Sequence, residues 1–357
     1  MRYSYSNDIK LVVKPQEINK DSGKEVLQYA VGGLLYTPAS NEKIIAKILD
    51  GTFWYVKSLV MDLEDSLGDD LVGFGQRTIQ SNIQLLDEAI KNEQFKYEDL
   101  PLIFIRVRNP EQIRQSYDML KTNMRYITGF NIPKFDKHSC DGYIEVFKEV
   151  KDKVERDTAK KSTLYMMPII ENKLAMYRQL RMDNLLYIND ALRPISDNVL
   201  NIRVGGADFC SIFGIRRNVE HHIHEIGVIR SVLSDIINVF GKNYVVSGPV
   251  WEFFENKDDP FDTKWKDGLK REIEYDRLNG FIGKTCIHPS QLPIIQQSLI
   301  IDNSEYQDAI NILGMNVNTV GVKKSANGNR MNEAKTHTNW ARKIMSLAYV
   351  YGVREDG

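Results

Sequence analysis

The sequence predicts an α/β fold of the (β/α)8 TIM-barrel type, and three observations carry that prediction. Short apolar runs alternate with longer amphipathic stretches, the runs number eight, and their starts lie 24 to 44 residues apart. Eight strand-then-helix units over about 270 residues match the size of a closed barrel. A doubly wound open sheet also alternates strand and helix, and the count of eight favours closure.

The runs are GLLYTP (33–38), KSLVMDLED (57–65), PLIFIRVRN (101–109) and YITGFNIPKF (126–135). LYMMPIIEN (164–172), VLNIRVGGADF (199–209), NYVVSGPVW (243–251) and GFIGKTCIHP (280–289) follow. Each is rich in β-branched, aliphatic or aromatic residues and is bounded by Pro, Gly, Asn or Asp. Continuous apolar character suits parallel strands covered on both faces. Stretches such as 73–92, 142–161 and 267–279 are long and amphipathic enough for the intervening helices.

The chain has 357 residues, more than a barrel requires. Residues 1–30 are expected as an N-terminal extension, 31–301 as the catalytic barrel, and 302–357 as a C-terminal lid or helical arm. The last piece holds a Gly/Asn-rich stretch, GVKKSANGNR (321–330), before a helical pattern at 337–353. It reads either as a lid or as a plain surface connection.

Lys and Arg total 47 against 48 Asp and Glu, a formal net charge of −1. Such a balance offers no field for a phosphate backbone, so nucleic acid is not an expected partner. Three widely spaced cysteines form no CxxC pair and read as reduced thiols. With no signal-peptide pattern and no apolar stretch of membrane-spanning length, the expectation is a cytoplasmic protein without a membrane partner. GxGxxG, GxxxxGK[ST] and GxSxG are all absent, which removes support for dinucleotide, nucleotide triphosphate and serine-hydrolase chemistry. His221, His222 and His224 lack matching ligand spacing and read as a surface cluster at a helix start.

In a parallel barrel the chemistry sits at the carboxyl ends of the strands. There the runs deliver Asp62, Glu64, Asp65, Glu171 and Asp208 on one side of the charge balance, and Arg106, Arg108, Lys134, Lys284 and His288 on the other. Glu171 and Asp208 end adjacent apolar strands, where an unpaired carboxylate is costly. Either they hold Mg²⁺, which accepts one or two carboxylates and keeps waters, or they pair with Arg106 or Lys134. Arg106 either clamps a substrate carboxylate with its planar fork or serves as an ion-pair partner. Gly205 and Gly206 allow a ligand to approach the backbone closely.

MDLEDS, the IIEN run, GGADF and GFIGKTCIHPSQ, in this order from about Leu34 to Gln291, resemble the HpcH/HpaI aldolases and citrate lyase β-subunit-like lyases. The resemblance implies a Mg²⁺-dependent barrel, with Mn²⁺ as a substitute, that cleaves or forms a C–C bond of a small hydroxy or keto carboxylic acid through an enolate. It implies Glu171 and Asp208 as metal ligands, Arg106 as a catalytic and substrate-binding group, and Glu64 and Asp65 as holders of metal-bound water. It adds Gly206, Ala207, Lys134 and Lys284 to the substrate-binding set. Lys284 is left open between that role and ion pairing. It also implies a homo-oligomer, a trimer or hexamer, whose arm covers a neighbour's barrel mouth.

Two departures stand out. GNRMNEAK (328–335) places Glu333 where CoA-using relatives carry a catalytic aspartate. Gly32-Gly33 stands where the resemblance implies an arginine–serine pair, carried by many CoA-using relatives before the first strand, which weakens the case for a CoA thioester substrate. Thioester hydrolysis, decarboxylation, and a catalytically silent barrel acting as a subunit or binding protein are the alternatives.

Overall fold

The computed structural model describes residues 1–356 except 6–8, 160–161, 260, 316–321, 326–327 and 329. Part of the Gly/Asn-rich stretch at 321–330 therefore lies outside the described residues.

Seven parallel strands form one sheet: β1 (Gly33–Pro38), β2 (Ser58–Asp62), β3 (Leu102–Arg106), β4 (Gly129–Ile132), β5 (Tyr165–Ile170), β6 (Arg203–Val204) and β7 (Lys284–Cys286). They pair in chain order from β1 to β6, and β7 pairs back onto β1. The ring is completed by the segment around Val246–Gly248. Val246 bridges to Ile202 and Gly248 to Lys284, both in parallel sense. The seventh apolar run is thus a stave without a regular ladder. Pro249 has no N–H to donate there, which shortens any strand.

Helices follow the strands as expected, among them Val72–Lys91, Cys140–Asp157, Gly227–Phe240 and Lys264–Leu278. Every residue of β2, β3 and β5 is buried. That burial explains their continuous apolar spelling.

The N-terminal extension covers the amino end of the barrel. Lys20 Nζ donates to Ser162 Oγ at 2.8 Å and Lys24 Nζ to the Ser196 carbonyl at 2.6 Å, and both partners precede barrel strands. A short strand, Leu11–Val13, pairs with Val353–Arg354, which pairs in turn with Ile301–Asp302. The terminal helix Ala334–Tyr351 is tied to the extension through Tyr351 Oη, which donates to the Tyr29 carbonyl at 2.8 Å. These ties lie at the amino end of the barrel, away from the carboxyl ends of the strands that carry the site.

Candidate active site

Register fixes the site. Pro38, Asp62, Arg106 and Asn131 are aligned across β1, β2, β3 and β4. Asp62 and Arg106 therefore face each other across neighbouring strands. Arg106 grips Asp62 with both prongs, Nε to Oδ1 at 2.6 Å and Nη2 to Oδ2 at 2.6 Å. Asp62 also accepts the backbone N–H groups of Glu64 at 2.9 Å and Ser66 at 3.2 Å. Its carboxyl is held below the usual range, because the Arg106 pair outweighs the cost of burial.

The third nitrogen of Arg106, Nη1, lies 3.2 Å from Glu64 Oε2 and 3.4 Å from Asp65 Oδ2. Lys134 Nζ meets Glu64 Oε1 and lies 3.3 Å from Asp65 Oδ1. Burial and the neighbouring Asp65 push the Glu64 carboxyl up. Asp65 is more exposed, and its hydrogen bond with Glu64 and the charges of Arg106 and Lys134 hold it down against burial. Arg106 is thus an ion-pair partner first. Its fork is filled by Asp62 and its Nη1 faces Glu64 and Asp65, so what it offers a ligand is chiefly its charge.

Glu171 follows β5 and is 4% exposed. Its Oε1 accepts the Lys134 backbone N–H at 2.7 Å, a bond made possible by the left-handed conformation of Lys134 (φ 49°). Asp208 lies in the first turn of the helix Gly206–Ile212. Gly205 lets the two acids approach each other. A Cβ there would stand 2.3 Å from Glu171 Cβ, 2.6 Å from Glu171 Oε2 and 2.9 Å from Asp208 Oδ2. Burial, then the charge of Asp208, pushes Glu171 up to about 8. Burial and the charge of Asp65 raise Asp208 as well.

A cavity of about 380 Å³ opens between these groups, with Tyr36, Asp62, Asp65, Arg106, Glu171, Gly205, Gly206, Ala207, Asp208 and Thr285 on its walls. Two facing carboxylates of raised pKa, in a mouth where acids outnumber cations, are the hard-oxygen donor set that a small divalent cation accepts. Among the described residues no group of three or more His, Cys, Asp or Glu side chains is arranged to hold a metal. A cation here would take its remaining positions from water or from substrate oxygens.

The structure therefore brings Arg106, Glu64, Asp65, Lys134, Gly206, Ala207, Glu171 and Asp208 to one mouth. It does not bring Lys284 there. That side chain is 1% exposed and faces out of the barrel, onto Glu272 at 2.8 Å and Asp276 at 2.6 Å of the surrounding helix. Of the two roles left open for Lys284, the structure shows ion pairing. Glu333 is also elsewhere: it precedes the terminal helix, its N–H donates to His337 Nδ1 at 3.0 Å, and none of the described residues of 302–357 lines the cavity. The histidines are not a surface cluster throughout. His222 and His224 are buried, His224 against Asp276 at 2.8 Å and His222 stacked on Tyr275 at 3.8 Å. Other polar strand-end residues cap helices: Asn109 accepts from the Gln112 N–H, Asn172 from Ala175 and His288 from Ser290. Sequence reasoning missed the pairing role of Asp62 and, inside the apolar runs, Tyr36, Asn131, Arg203 and Thr285. A polar residue within an otherwise apolar run was the available signal.

The family described as "C-C_Bond_Lyase of the TIM-Barrel fold" matches residues 25–353. The chain belongs to this family. The expected carbon–carbon lyase family is borne out by this match, and the resemblance to citrate lyase β-like proteins is borne out at the level of the fold. The chain is similar to CitE from Mycobacterium tuberculosis, solved in complex with magnesium, acetoacetate and coenzyme A, with 16% identity and a TM-score of 0.57 over 90% of this chain and 99% of that one. It is also similar to the citrate lyase β subunit from M. tuberculosis complexed with oxaloacetate and magnesium, with 17% identity and a TM-score of 0.50 over 76% and 98%. No curated protein matches by sequence. No helix among the described residues is long and apolar enough to cross a membrane.

Proposed function

We propose that this family member is a Mg²⁺-dependent lyase that cleaves or forms a C–C bond of a small hydroxy or keto carboxylic acid. The single observation that carries the reading is the pairing of Glu171 and Asp208 across Gly205, which readies two carboxylate oxygens for one cation. Bound there, the cation supplies Lewis-acid stabilisation of negative charge developing on a substrate oxygen.

The chain's own residues supply the rest. Asp62 holds the Arg106 guanidinium rigidly at the wall, so its positive charge needs no reorganisation as charge builds on the substrate. Lys134 orients Glu171 through its backbone N–H and holds Glu64 and Asp65 through its ammonium group. Glu64 and Asp65, sharing Arg106 and Lys134, are placed to accept hydrogen bonds from waters at the mouth. Gly206 and Ala207 give the substrate a backbone wall. Lys284, turned outward onto Glu272 and Asp276, gives no support to a CoA phosphate contact, and a free acid is the favoured substrate. Acid/base duty for Glu333 requires the arm of a second copy, and a homo-oligomer is part of this reading.

The test is product analysis. The chain is incubated with small hydroxy and keto acids, with and without acetyl-CoA, in the presence of Mg²⁺, and products are followed by NMR. Release of a shorter carbonyl compound, lost on chelation of the cation, is the expected result. Decarboxylation or thioester hydrolysis without C–C cleavage between two carbon fragments would replace this reading.

A further inference from the structure

Four arginines are buried among the described residues, and three of them pair with a carboxylate: Arg106 with Asp62, Arg181 with Asp235 and Arg217 with Glu252. Arg203, on β6 and 1% exposed, has no such partner. Its Nη1 donates to Ser247 Oγ at 3.2 Å, its Nη2 to Thr285 Oγ1 at 2.6 Å, and its Nε meets no acceptor. Its Cζ lies 6.0 Å from the centre of the Tyr36 ring, whose other neighbour is the Arg106 guanidinium at 5.2 Å. A buried cation without a counter-charge is costly, and a fold keeps one at a stability disadvantage.

Of the three hydroxyls around Arg203, those of Thr285 and Tyr36 show what it faces. Thr285 Oγ1 accepts from Arg203, and Tyr36 Oη accepts from Asn131 Nδ2. A hydroxyl has one hydrogen to give, and no acceptor among the described residues takes it from either group. Both side chains line the cavity that holds Glu171 and Asp208. Two free O–H donors at a cavity wall, backed by an uncompensated guanidinium, are a receptor for a carboxylate.

We infer that the floor of the cleft is a carboxylate subsite made by the Tyr36 and Thr285 hydroxyls in front of Arg203, and that the substrate is a dicarboxylic acid. One end lies against the Glu171–Asp208 pair and the second carboxylate sits on the floor. This inference rests on the lyase reading for the first end and on the floor residues alone for the second. Arg203 acts through the hydroxyls it orients and is a positioning residue.

Calorimetric titrations in the presence of Mg²⁺ compare lactate, with one carboxylate, with each enantiomer of malate, with two. Wild type is expected to prefer one malate over lactate by at least about tenfold, which is ~1.4 kcal/mol. Arg203→Met is expected to bring that preference within about twofold of unity, and Tyr36→Phe and Thr285→Val to lower it several-fold. Ligand-free Arg203→Met should melt no lower than wild type, since the variant removes an unpaired buried charge. Equal binding of lactate and malate by wild type, or a malate preference kept in Arg203→Met, overturns the inference. Oxalate on wild type, with and without Mg²⁺, is the separate control. Failure of oxalate to bind removes the lyase reading, while an Arg203-dependent malate preference still upholds the floor subsite.

Discussion

The Asp62–Arg106 pair offers a perturbation whose size can be worked from the structure. Asp62 is 1% exposed and Arg106 9% exposed, so neither charge is well solvated when its partner is removed. Breaking a buried pair by deleting one partner costs about 3–5 kcal/mol. The low end applies here, because each group keeps other partners. In Asp62→Asn, Arg106 still has Glu64 at 3.2 Å and Asp65 at 3.4 Å. In Arg106→Met, Asp62 still accepts two backbone N–H groups. Each single variant is therefore expected to lose ~3 kcal/mol. The double variant should lose less than the sum, with a coupling of ~2 kcal/mol. Urea unfolding followed by tryptophan fluorescence measures all four corners of the cycle. Additive losses, or single losses below ~1 kcal/mol, would refute the reasoning, because they would mean that the pair is effectively solvated.

Further outcomes follow from the same geometry. Gly205→Ala puts a Cβ within 2.6 Å of Glu171 Oε2, so it should abolish stabilisation by Mg²⁺ in a thermal-shift assay while the circular dichroism spectrum stays that of a folded barrel. Lys284→Met leaves Glu272 and Asp276 buried without their ammonium partner and should cost ~3 kcal/mol or more in unfolding free energy. The folded variant should still bind Mg²⁺ and oxalate, and loss of that binding at full stability would show that Lys284 reaches the cleft after all. Burial opposes ionisation of Glu272, but the charges of Lys284 and Arg217 win and its folded pKa is lowered. Its contribution is then present above the unfolded value of 4.5 and is lost as pH falls through the lower folded value. Thermal stability should therefore drop below about pH 4.5, and Glu272→Gln should flatten that acid limb. An acid limb of unchanged steepness in the variant would contradict this.

Much of the barrel is legible in the residues because a parallel strand buried on both faces must be apolar throughout. β2, β3 and β5 sit inside the runs that announce them. The same property hides which side chains point inward. Nothing in KTC distinguishes Lys284, turned to the outer helix, from Thr285, turned to the cavity, and only the pairing of Lys284 with Glu272 and Asp276 separates them. Strand ends were readable because carboxylates there need a partner, so Glu171, Asp208 and Arg106 stand out. That Arg106 spends its fork on Asp62 depends on the β2–β3 register, a long-range property absent from local spelling. Arg203 lay within a run read as strand core, where a single cation carries no spacing signal. The placement of the terminal helix depends on a strand shared between residues 11–13 and 353–354, at opposite ends of the chain.

The central claim is that Glu171 and Asp208 together hold a divalent cation against which a small carboxylic acid binds. The measurement that tests it most directly is calorimetric titration of Mg²⁺ and oxalate, each with and without the other, on wild type, Glu171→Gln and Asp208→Asn. The account predicts that each ligand tightens the binding of the other in wild type and that neither variant shows this coupling. Oxalate binding that ignores Mg²⁺, or variants that couple the two as wild type does, would contradict it.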